Sequence, residues 1–121
     1  MKEDVIKWIN LAKEDLEVAK KNLKEGYYRH ACFWAHSSAE KFLKAFLLSK
    51  NKELIKTHDL EFLANECSKL DESFSELLDK INISYLNPYS IETRYPLRET
   101  SFSFEEAKEA IEIAEKVKEF V

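Results

Sequence analysis

The chain has 121 residues, 45% of them hydrophobic and 35% charged, with one glycine, two prolines and a formal net charge of −4. So little Gly and Pro leaves few residues for the turns of a β-sandwich and none for a glycine-rich phosphate loop. The acidic balance argues against coating nucleic acid by charge alone, and the length suits one domain, residues 1–121, with a core of its own.

Over residues 3–24, Val5, Trp8, Ala12, Leu16, Ala19 and Leu23 recur at a spacing of three and four, which predicts an amphipathic helix. Gly26 stands where that helix should end in a left-handed cap, turning the chain into an antiparallel hairpin. A second helix is expected over residues 27–50. Its main stripe, Tyr28, Ala31, Cys32, Ala35, Ala39, Phe42 and Phe46, is small in the middle, where a neighbour can come close. Phe33, Trp34, Leu43, Leu47 and Leu48 widen the apolar surface, so this helix should be buried on more than one side, at the bundle centre or in a dimer interface.

Residues 51–56 read as a polar connection, with Thr57 or Asp59 capping a third helix over residues 60–69. A fourth should open at Asp71 or Glu72 and run to about Leu86. Pro88 and Pro96 then bracket a loop, NPYSIETRYPLRETS, too irregular for a helix. Ser103 and Glu106 are spaced as a capping box for the last helix, whose apolar positions are Phe104, Ala107, Ala110, Ile111, Ala114, Val117 and Val121.

Cys32 and Cys67 lack CxxC spacing and read as small core residues in a reducing compartment. The histidines lack metal-ligand spacing, so neither a metal site nor a cofactor is expected. His58, just before a helix, reads as a structural cap. The opening residues carry acids where a leader would be apolar, and no run is long enough to span a bilayer. The expectation is a cytoplasmic protein with no membrane association.

Three segments resemble the HEPN family (higher eukaryotes and prokaryotes nucleotide-binding domains). They are the opening helix WINLAKEDLEVAK; the stretch GYYRHACFWAHSSAEKFLKAFL, with Gly26, Tyr28, Ala31, Phe33, Ala39, Glu40, Lys41, Leu43, Lys44 and Ala45 in pattern; and the pair THDL (57–60) and TRYP (93–96). The resemblance covers nearly the whole chain. It implies an all-α fold, an antiparallel up-and-down bundle of four main helices plus one short helix, and a homodimer. Two roles are common among such proteins. Some are partners of a small nucleotidyltransferase in a pair behaving as toxin and antitoxin. Others are metal-independent ribonucleases using an arginine and a histidine four to six residues apart.

A ribonuclease needs an arginine to hold the scissile phosphate and a histidine to move protons. Arg29 and His36, six residues between them, fit that count, and seven positions along a helix put both on one face roughly 10 Å apart. The family's catalytic pair usually lies further toward the C-terminus, where Arg94 and Arg98 have no histidine after them. Arg29, His36, Glu40 and Lys44 share a stripe of the second helix opposite its small residues, and Lys41 lies beside it. In the loop, Tyr89, Arg94, Tyr95 and Arg98 set guanidinium groups beside tyrosines, a combination that can hold a phosphate and stack a base. Tyr95-Pro96 could equally plug the bundle end. The leading expectation is a nucleotide-binding and interaction module that contacts its ligand or partner through Glu40, Lys41, Lys44, Tyr89, Arg94, Tyr95 and Arg98. A ribonuclease using Arg29 and His36 on RNA, and a structural dimer without a ligand, are the alternatives.

Overall fold

A computed structural model describes residues 2–121. Its helices are α1 (Lys2–Glu25), α2 (Tyr28–Ser49), α3 (Leu60–Ser68), α4 (Ser75–Asp79), α5 (Tyr89–Glu92) and α6 (Phe104–Phe120), and no strand occurs among the described residues. The all-α bundle expected from the sequence is the fold observed.

Gly26 makes the first turn. Its φ of 86° lies in the left-handed region, the Tyr27 amide donates to the Asn22 carbonyl and the Gly26 amide to that of Leu23. This crossed pair of bonds satisfies the last carbonyls of α1 and reverses the chain within two residues. The hairpin then packs along its length. Ala12, Leu16 and Ala19 of α1 meet Ala31, Ala35 and Ala39 of α2, and all six are buried. Small side chains let the two backbones come close, and Ser38 donates across the gap to the Ala12 carbonyl at 2.7 Å.

The other flank of α2 packs against α6. Tyr28 meets Phe104 edge-on at one end, and Phe46, Phe74 and Phe120 gather at the other. Thus α6 runs in the same sense as α2, as the last helix of an up-and-down bundle must. Cys32 and Cys67 lie wholly buried, and burial pushes both thiols up to about 12. They are core residues, as expected.

Residues 71–86 depart from the single fourth helix expected. Asp71 caps a 3₁₀ turn over Glu72–Phe74, α4 follows, and a second 3₁₀ turn covers Ile83–Leu86. The break falls at Asn82, whose φ of 60° no α-helix contains and which asparagine adopts more readily than most residues. The loop read as too irregular for a helix holds one α-helical turn, α5, entered from Pro88, whose fixed φ suits a helix start. Asp59 caps α3, its Oδ1 accepting the Phe62 amide.

Candidate functional site

The α2 stripe predicted to form a polar face is mostly covered. His36 is 3% exposed and Lys44 6%. The segment between α2 and α3 lies over them: the His36 Nε2–H donates to the His58 carbonyl at 3.0 Å, and the His58 Nδ1–H donates to Glu40 Oε1 at 2.8 Å. Lys44 Nζ holds the other oxygen of Glu40 at 2.8 Å, and His36 Nδ1 faces Oε1 from 3.9 Å. One carboxylate therefore organises two histidines and a lysine.

The energetics of this cluster follow from burial. Desolvation alone would push Glu40 up, but the bonds from Lys44 and His58 outweigh it and hold the carboxyl below its usual range. Burial keeps the His36 ring neutral, shifting its pKa downward; Glu40 and the His58 carbonyl oppose the shift, while the charges of His58 and Arg94 add to it. His58 itself does not cap α3. Asp59 takes that role, and the His58 ring, 63% exposed, reaches across to α2 instead.

Arg29 is exposed at the start of the stripe and does not meet His36. Its guanidinium donates to the Thr93 carbonyl at 2.7 Å and to His30 Nε2 at 3.1 Å. Lys41 belongs to a separate cluster on the α1 side. It pairs with Asp15 at 2.6 Å, and Ser37 donates to the same carboxylate oxygen. That arrangement ties α1 to α2 and does not join the Glu40 group.

The four loop candidates divide in two. Tyr89 is buried and donates to Glu106 at 2.7 Å. Arg98 forks onto both oxygens of Glu106 at 2.8 and 2.9 Å and stacks on Phe102, 3.9 Å from the ring centre. Tyr89 and Arg98 thus close the bundle end. Burial would raise the Glu106 carboxyl, but Arg98 and Tyr89 hold it below its usual range. The expected capping box is half realised: Ser103 Oγ accepts the Glu106 amide, while the Glu106 carboxylate serves Arg98 and Tyr89.

Arg94 and Tyr95 face outward. Tyr95 is 57% exposed, and the Arg94 guanidinium lies 5.3 Å from the centre of the Phe33 ring. Phe33 in turn meets Trp34 edge-on at 4.9 Å. Because Phe33 shares the α2 stripe with Arg29, His36 and Glu40, the surface runs from Arg29 past Arg94 to His58. Two contributors lie outside the residues that sequence singles out for the site. His58 has the position of a cap, although THDL places it in the family's pattern. Asn87 holds the start of α3, accepting the Leu60 amide and donating to Asp59, and no local signal marks it. Among the described residues no group of three His, Cys, Asp or Glu side chains is arranged to hold a metal ion, and no helix is long and apolar enough to cross a membrane.

Comparison with known proteins adds a family and a structural relative. The HEPN domain family model matches residues 5–121. TT1696 from Thermus thermophilus, known from a crystal structure, is 28% identical and superposes with a TM-score of 0.79 over 96% of this chain and 94% of its own. The search of curated proteins finds no match.

Proposed function

The chain belongs to the HEPN domain family, and from that premise we propose that it is a nucleotide-binding and interaction module, partnered by a small nucleotidyltransferase in a toxin–antitoxin-like pair. It works as a homodimer, and exposed Ile91, Tyr95 and Leu97 offer apolar contact area on one short stretch. The observation that carries the binding reading is the Arg94 surface. Of the two loop arginines, Arg98 is consumed by Glu106, whereas Arg94 lies on an aromatic ring beside exposed Tyr95. A guanidinium held flat on a ring keeps its donors directed outward for a phosphate.

The buried, carbonyl-bound His36 and the separately engaged Arg29 favour binding over a ribonuclease built on that pair. The test is a thermal-shift titration with 5′-AMP, using wild type and Arg94→Ala. Stabilisation that rises with ligand in the wild type and falls at least severalfold in the variant is the expected result. Equal stabilisation of both removes the Arg94 surface from the site. Co-expression with the neighbouring nucleotidyltransferase should yield a stable complex, and independent elution of the two proteins overturns the pairing.

A further inference from the structure

His58 has no role in the Arg94-centred binding site, yet its setting is unusual for an exposed histidine. Its ring is 63% exposed, but one nitrogen is tied to Glu40, itself 12% exposed and braced from behind by Lys44. The carboxylate fixes both the ring orientation and the tautomer. With the proton on Nδ1 donated to Glu40, Nε2 is the nitrogen left for a ligand. The arrangement positions an imidazole at the surface and stabilises its charged form against the cost of binding an anion.

The second cation at this surface is Arg94. Its anchor on α2, Phe33, lies seven residues before Glu40, about 10 Å along the helix. His36 sits between the two anchors on the same stripe, and the charges of both Arg94 and His58 bear on its ring. Two cationic groups from separate segments therefore converge over one point of α2, on a chain whose net charge is −4.

We propose that His58 and Arg94 together bind one phosphate group over the α2 stripe, with His58 engaging it as an imidazolium aligned by Glu40, so that ligand binding is coupled to proton uptake. The phosphate is that of a nucleotide or of an RNA chain. The inference rests on the Arg94 surface being the nucleotide site and adds to it a second residue and a pH response. The groups facing His58 are Glu40, His36 and Lys44 from α2, Arg94 from the segment after α5, and Asp59 beside it. Asp59 is engaged by the Phe62 amide and by Asn87, and Lys44 by Glu40, which leaves the His58 ring as the exposed member able to take a proton at near-neutral pH.

The test uses the dinucleotide ApA, whose diester phosphate keeps a single charge across the range, and 5′-AMP, in calorimetric titrations at pH 7.5 and 5.5. Wild type should bind about threefold to tenfold more tightly at pH 5.5, the worth of one exposed charge-assisted bond. Repeating the titration in buffers of different ionisation enthalpy should register proton uptake on binding. His58→Asn, which keeps a donor for Glu40, should bind at the wild-type pH 7.5 affinity at both pH values and take up no proton. A proton-linked response with ApA assigns the site to an RNA chain, and with 5′-AMP alone to a free nucleotide; either supports the proposal. Equal affinity at both pH values overturns it while leaving the nucleotide-binding reading in place. So does a pH response that survives in His58→Asn. Binding of neither probe at either pH removes both.

Discussion

His36 donates to a carbonyl 22 residues further along the chain, and its other ring nitrogen faces Glu40. Burial lowers its proton affinity in the folded state. As pH falls through about 6.5, an unfolded imidazole takes a proton that the folded ring resists, so the unfolded state binds more protons and stability declines. The contribution is complete above the unfolded value and is lost on acidification down to the folded one. Glu40 acts in a separate and lower window, because its carboxyl is held below the ordinary carboxylate range. The melting temperature of the free protein should therefore drop between pH 7.5 and 5.5, and His36→Gln, which retains a donor for the His58 carbonyl, should flatten that drop. Parallel declines in the two proteins would show that His36 does not govern the response.

At the scale of the elements, what local sequence determines is legible and what distant partners determine is not. The stripes of α1 and α6 are set by spacing within one helix, and Ala12, Leu16, Ala19, Ala107, Ala110, Ala114 and Val117 are buried as their period requires. Gly26 is readable because only glycine takes a left-handed cap cheaply. Nothing within 4 Å would meet an added Cβ there, so Gly26→Ala should cost only its backbone strain, about 1 kcal/mol. A drop of about 4 °C in melting temperature is expected, and an unchanged melt would mean the turn has relaxed to another geometry. Residues 71–86 mislead because helical spacing continues across Asn82 while its backbone turns left-handed. The spacing of Glu106 from Ser103 points to a capping box, but a bidentate arginine from the preceding loop outcompetes a backbone amide for its carboxylate.

Across the whole molecule, the candidate site is made by pairings that no window of sequence contains. Arg29 and His36 look like a pair on a helical wheel; in the fold one reaches Thr93 and the other meets the chain at His58. Glu40 and His58 each stand inside a family motif, so their presence is visible in sequence while their contact is not. The close approach of α1 and α2 is also a property of the assembled bundle. Ala35 is 0% exposed, and Ala35→Leu should force the helices apart at a cost of about 2 kcal/mol. The urea midpoint should fall at constant slope. An unaltered midpoint would show that a gap exists where the structure has none.

The two-residue turn at Gly26 also bears on the order of assembly. It joins helices whose contacts are close in sequence, so their pairing closes a very short loop, whereas α6 must return to α2 across the long stretch between Ser49 and Phe104. The hairpin should zip first, and during synthesis it can form while α6 is still unmade. Until then the flank of α2 that carries Phe42 and Phe46 lacks its cover. The nascent hairpin is the stage at which this chain most needs protection from sticking to its neighbours.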